Sequence, residues 1–183
     1  MKRRECYVER RYKLFGALAV VRSVTKAVTW GGMTGYQWAL LGAVLAFIGG
    51  GMGSSMGITY VNHVASGILV EDPEKFGPLL PIIAIPGTQG VYGLITAILV
   101  PIIFSPLGKI SAHKGVLVFF ACLPVAFVCF LSAVYQGLSS ASAAAMVARR
   151  TEEAGKALIL PALVETYAVF SLILTIYLFT RIR

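Results

Sequence analysis

Five polar side chains in otherwise apolar surroundings could together hold a bare cation. Thr88, Gln89 and Tyr92 lie in one apolar run, Gln136 in the next, and Glu165 in a third. On a helix, positions 85, 88, 89 and 92 fall on one face. Pro86 and Gly87 interrupt that helix at the same level, because proline removes a backbone donor and strains the preceding turn, loosening a carbonyl. The set then offers one carboxylate, two amide oxygens, one hydroxyl and a carbonyl. These are hard oxygen ligands, suited to a hard cation rather than a soft metal. Broken helices with unwound carbonyls are a recurring way to hold Na⁺ inside a membrane. A charge at the bilayer centre costs at least about 2.5–3.5 kcal/mol, so a lone intramembrane carboxylate reads as functional by default. The competing reading of Glu165 is a hydrogen-bonded carboxyl that merely ties helices together.

The elements that must position these groups are membrane helices. The chain has 183 residues, 57% of them apolar and 13% charged, against roughly 25% charged in ordinary soluble domains. Residues 27–70, 76–108 and 115–148 contain no Asp, Glu, Lys or Arg, and 157–180 contains only Glu165. A spanning helix needs about 20 apolar residues, and these runs lack the alternation of a barrel strand. The expected fold is all-α with four transmembrane helices. The runs are long enough for the helices to tilt strongly or to project from the bilayer.

The chain also repeats itself. Shifted by 78 residues, PEKFG at 73–77 falls on TEEAG at 151–155, and IPGTQGVYGLI at 85–95 falls on LVETYAVFSLI at 163–173. Each half is a hairpin, and the two hairpins run in the same sense. The expected organisation is a basic extension over 1–32, a first hairpin over 33–108 and a second over 109–183. The repeat breaks where it matters, since Glu165 falls on Gly87 and four helices share one carboxylate. Gly49, Gly53 and Gly57 recur at every fourth residue of the first span. Gly42, Ala46, Gly50 and Ser54 form the neighbouring row, and Ala133, Gly137, Ala141 and Ala145 repeat the pattern in the third. Small residues at this spacing let helix backbones approach closely in lipid. They suit either a tight pair within one chain or the crowded inner layer of a ring.

Other chemistries find little support. Cys122 and Cys129 read as packing residues rather than a redox pair, and Cys6 has no evident partner. His63 and His113 sit near span ends, as interfacial rather than relay histidines. No organic cofactor is indicated.

Three stretches carry a resemblance to a known family. PGTQGVYG at 86–93, SAVYQG at 132–137 and PALVETYAV at 161–169 closely resemble the proteolipid of bacterial and archaeal V-type ATPases, the K subunit of the sodium-translocating kind. The similarity covers about residues 36–181. It implies a non-catalytic four-helix subunit of the cell membrane, many identical copies of which form a ring that turns while ATP is hydrolysed elsewhere. Matched residue by residue, Glu165 resembles the ion-binding carboxylate. Thr88, Gln89 and Gln136 resemble its side-chain co-ligands for Na⁺, Ile85 the residue lending a carbonyl, and Tyr92 the tyrosine that locks the site. The implied partners are identical copies, a stator subunit supplying an arginine, central-stalk subunits and lipid, with no nucleic acid. The implied topology puts the loops at 71–75 and 149–156 in the cytoplasm and the C-terminus outside. A proton-carrying ring and a small multidrug-type secondary transporter are the alternatives, and a scaffold built on the glycine rows is a third reading.

Residues 1–32 lie outside the resemblance. They hold eight Lys and Arg against two Glu, while residues 33–183 hold eight against six. Eight positive charges outside the cell would oppose the positive-inside rule. The extension reads as an over-long start before Met33, as a signal-like segment around LFGALAVV, or as a basic amphipathic stretch on the membrane surface.

Overall fold

The computed structural model describes residues 29–30, 32–104 and 110–183. The basic extension expected over 1–32 therefore lies almost wholly outside the described residues, as does Cys6. Four helical spans account for nearly everything described: Gly35–Glu71, Pro73–Ile103, Ala112–Arg149 and Thr151–Ile182. The chain is a multi-pass membrane protein built from two helical hairpins. At about 1.5 Å rise per residue, the 37-residue first helix reaches about 55 Å, well beyond a hydrocarbon core of about 30 Å.

Local chemistry sets the span ends. A two-residue strand, β1 (Thr29–Trp30), pairs antiparallel with β2 (Met33–Thr34). Gly32, between them, has φ of 78°, a conformation that glycine adopts without strain. Thr34 then caps the first span: its hydroxyl accepts from the Gln37 N–H and the Gln37 side chain accepts from the Thr34 N–H. At the opposite end both hairpins turn through short 3₁₀ segments, Pro73–Lys75 and Thr151–Glu153. Lys75 ties the two turns together. Its ammonium pairs with Asp72 at 3.2 Å and donates to the Ala148 carbonyl at 2.7 Å.

The first and third spans pack backbone to backbone. A Cβ placed on Gly42 would lie 2.8 Å from the Phe119 Cα, and one on Gly53 would lie 2.8 Å from the Phe130 Cα. Gly49 meets Ala126 in the same way, and Gly57 meets Ala133 and Gly137. Each pair joins residues about one repeat length apart, so corresponding levels of the two hairpins lie side by side. The neighbouring row of the first span, with Ala46 and Gly50, takes the second span at Gly93 and Gln89. The third-span row ends earlier than its spacing predicts: Ala133 and Gly137 are buried, Ala141 is half-buried and Ala145 is exposed. Ala143 and Ala144 are buried instead.

Two apolar clusters form around this arrangement. One, near the termini, includes Ala39, Val100, Val118, Val125 and Phe179. The other, near the turns, includes Val61, Leu79, Ile82, Val147 and Ala157. Buried Gln89, Ser132 and Gln136 lie at the level between them.

Candidate ion-binding site

The second and third spans reach this level through local departures from regular helix. In the second span, Phe76–Ala84 gives way to a 3₁₀ turn at Ile85–Gly87, and α-helix resumes at Thr88–Ile103. Pro86 has no N–H to offer the carbonyl four residues earlier. In the third span, Pro124 is followed by a π-helical turn, Val125–Cys129, before regular helix resumes at Phe130. Such single π turns are rare and often accompany functional sites. In the fourth span Pro161 lies inside the helix one turn before Glu165.

The polar groups form a connected chain. The Thr88 hydroxyl donates to the Ile85 carbonyl at 3.0 Å and lies 3.3 Å from the Gln89 Oε1. The Gln89 amide nitrogen donates across to the Gln136 Oε1 and reaches the Ser132 hydroxyl at 3.4 Å. The Gln136 amide nitrogen donates to the Pro161 carbonyl at 3.0 Å. The Ser132 hydroxyl donates to the Val164 carbonyl at 3.1 Å. Gln89 and Gln136 are both fully buried. An unpaired amide there would cost on the order of 1–3 kcal/mol, and this network pairs both.

Glu165 enters through Tyr92, whose hydroxyl donates to its Oε1 at 2.6 Å. Among the described residues no hydrogen bond joins Glu165 to Thr88, Gln89 or Gln136. The structure thus brings all six sequence-predicted site residues to one level between the second, third and fourth spans. It links five of them to one another or to the carboxylate: Ile85, Thr88, Gln89 and Gln136 in one chain, and Tyr92 to Glu165. The Ile85 carbonyl is not left bare, since it accepts the Thr88 N–H as well as the hydroxyl. The packing glycines Gly49, Gly53, Gly57 and Gly137 lie on the seam beside the site, not in it.

Four further groups belong to this network. Ser132 lies four residues before Gln136, on the same face, and that spacing was the available signal. Ser54 of the first span accepts the Gly90 N–H at 2.8 Å, supporting the second span just after its 3₁₀ turn. The carbonyls of Pro161 and Val164 carry no side-chain signature at all.

The first hairpin lacks the carboxylate, and its corresponding level is filled differently. Gly87 stands where the repeat places Glu165, and Ile58 where it places Gln136. A Cβ on Gly87 would meet the Ile58 Cδ1 at 3.4 Å. Cys122 and Cys129 are buried free thiols, and Cys129 lies 3.6 Å from the Ser171 hydroxyl.

Comparison with known proteins follows the same duplication. The family model of the ATP synthase C subunit matches the chain twice, over residues 41–100 and 119–178. The second match begins and ends 78 residues after the first. The chain is 36% identical over 145 residues to the V-type sodium ATPase subunit K of Enterococcus hirae, covering 79% of this chain and 91% of that protein. It is 33% identical over 138 residues to the A-type ATP synthase subunit K of Methanocaldococcus jannaschii, covering 75% of this chain and 60% of the relative.

Proposed function

The chain belongs to the family of the ATP synthase C subunit, as a duplicated proteolipid of the V-type kind, and from that premise we propose that it carries Na⁺ across the membrane, one ion at each Glu165, as a ring of copies turns. The observation supporting this reading is the company that Glu165 keeps. A proton site needs only a carboxyl in an apolar pocket with one hydrogen-bond partner. Here Tyr92 already supplies that partner, yet the same level also holds the Ile85 carbonyl, the Thr88 hydroxyl and the Gln89 and Gln136 amide oxygens. These groups satisfy one another in the structure, so the support lies in how many hard oxygens are gathered at one level. With one carboxylate oxygen they number about five, enough to replace much of the water around a small hard cation.

The cycle follows from charge. Glu165 with bound Na⁺ is neutral and can face lipid. Tyr92, donating to one carboxylate oxygen, holds the side chain against the second span while the ion is aboard. A guanidinium on a stator subunit would favour the bare carboxylate and expel the ion, because an opposite charge stabilises the ionised form. In this reading the turns at 71–75 and 149–156 face the cytoplasm and the central-stalk subunits. The Lys75–Ala148 contact would let the two turns meet those subunits as one surface, and the C-terminus lies outside.

Carbodiimide labelling of Glu165 tests the ion. The reagent attacks a protonated carboxyl, so Na⁺ and H⁺ compete for the same group. Millimolar Na⁺ should protect Glu165, and more strongly at alkaline pH, where protons compete less. Labelling unaffected by Na⁺ at neutral and alkaline pH would assign the site to protons.

A further inference from the structure

Inside one chain, the glycine face of the first span lies against the third span: Gly49 on Ala126, Gly53 on Phe130, Gly57 on Ala133 and Gly137. Moved one repeat along, the glycine face becomes a face of the third span bearing Phe127, Leu131 and Tyr135. The receiving face becomes a face of the first span bearing Ile48, Met52, Ser55 and Thr59. Neither face has a partner among the described residues. Phe127, Leu131 and Tyr135 are 65%, 53% and 61% exposed, Ile48 and Met52 are 44% and 54% exposed, and Ser55 and Thr59 are exposed as well. When copies of this two-hairpin unit close into a ring, the step between hairpins repeats from one chain to the next, and these two faces are the ones it brings together.

The faces differ from their intrachain counterparts in a way that fits them to each other. Within the chain the knob is glycine and the contact is backbone on backbone. Between chains the knob is aromatic, so the receiving face must be open where the inner one is closed. It is open at the corresponding place: a shallow, wide-open groove on the first span is bordered by Ser55, Met56, Thr59 and Tyr60. Gly57 meets Ala133 and Gly137, so the repeat sets Tyr135 over Ser55 and Thr59. We propose that the side chain of Tyr135 seats in the Ser55–Thr59 groove of the next copy, and that this aromatic knob forms the seam between subunits. Met56 offers the ring a polarisable apolar wall. The Ser55 and Thr59 hydroxyls donate to the Met52 and Ser55 carbonyls at 2.8 and 2.7 Å, which leaves their oxygens able to accept from the tyrosine hydroxyl. A buried tyrosine needs such a partner. The inference rests on the ring reading, and it adds a link: Tyr135 immediately precedes Gln136, so the intersubunit seam and the ion site are carried by successive residues.

Cysteine crosslinking within the assembled complex tests the seam. The pair Tyr135→Cys and Thr59→Cys in one chain, oxidised in membranes, should give a ladder of covalent multimers ending at the closed ring. Either single substitution should give no ladder. An intact ring by native mass that yields no ladder from this pair would overturn the seam. Native mass of a monomer or dimer for the unaltered protein would remove the ring reading and the seam with it. Na⁺ protection of Glu165, measured on the same preparation, reads the ion assignment separately, and its failure leaves the seam standing. Independently, Tyr135→Ala should lower the temperature at which the ring releases subunits, and Tyr135→Phe should keep most of that stability. An unchanged release temperature in Tyr135→Ala would also overturn the proposal.

Discussion

Gly137→Ala adds a single methyl group at the point where the two hairpins are closest to the ion site. The new Cβ would stand 2.6 Å from the Gly57 carbonyl carbon, with the Gly57 Cα and carbonyl oxygen nearer still. Carbon atoms pack best at about 3.5–4.0 Å, so the first and third spans must separate locally by about 1 Å. Every atom resisting the methyl is backbone, and no side chain can rotate away. The cost therefore belongs at the upper end of overpacking, on the order of 3 kcal/mol. Separation also opens the seam at Gly53 and Gly49, where a gap of about 0.5–1 Å forfeits a quarter to a half of each dispersion contact. Gln136 precedes Gly137 and moves with it, stretching its bonds to Gln89 and to the Pro161 carbonyl. The expected result is a ring that dissociates at lower temperature and needs at least about tenfold more Na⁺ to protect Glu165, equivalent to about 1.4 kcal/mol. Thermal dissociation followed by native electrophoresis, and Na⁺-dependent carbodiimide labelling, measure the two effects. A Gly137→Ala ring with both properties unchanged would refute the claim that backbone contact at Gly57 sets the site.

Tyr92→Phe removes the donor to Glu165, a hydrogen bond to a charged group worth about 1.5–3 kcal/mol. The Na⁺ titration should shift upward by roughly ten- to hundredfold, and an unshifted titration would remove Tyr92 from the site. Ser132→Ala strips a buried hydroxyl that reaches the Gln89 amide and the Val164 carbonyl. It should weaken Na⁺ protection by about tenfold, the net worth of one or two neutral bonds, while ring mass stays unaltered. Glu165→Gln keeps the shape and removes the charge. It should assemble normally yet abolish both carbodiimide labelling and transport, whereas failure to assemble would make Glu165 a structural tie.

Span number and membrane character were legible because lipid permits few exceptions: a stretch without charges, longer than a bilayer is thick, has one economical fate. Glu165 was legible for the same reason, as the one acid inside such a stretch. Gln89, Gln136 and Thr88 followed because amides and hydroxyls at membrane depth must be satisfied by something. Ser132 and Ser54 were not singled out as members of the network because hydroxyls in membrane helices are common and usually bond to their own backbone, as Ser171 and Thr166 do here. The π turn after Pro124 left no mark beyond the proline itself. The carbonyls of Pro161 and Val164 belong to the backbone, so no residue type announces them. The glycine rows announced close packing without saying which neighbour each row would meet. That choice depends on how two repeats twist about each other, and it separated the row at Gly49, Gly53 and Gly57 from the row at Ala46 and Gly50.

Gly87 at the position where the repeat places Glu165, with Ile58 standing at the level of Gln136, would set a transmission ratio in the rotor proposed above. A ring with an acid in every hairpin would load one ion for each pair of helices. With one ion at each Glu165, as proposed above, this chain would load one for every four, so a ring of the same circumference would pass half as many ions per revolution. The work that nucleotide hydrolysis delivers in a revolution is then divided among fewer passengers, and each can be driven against about twice the electrochemical gradient before the motor stalls. Run in reverse, the same wheel would need a correspondingly steeper gradient to return that work as nucleotide. One carboxyl group for every four helices would thus gear the proposed rotor low, favouring force over throughput.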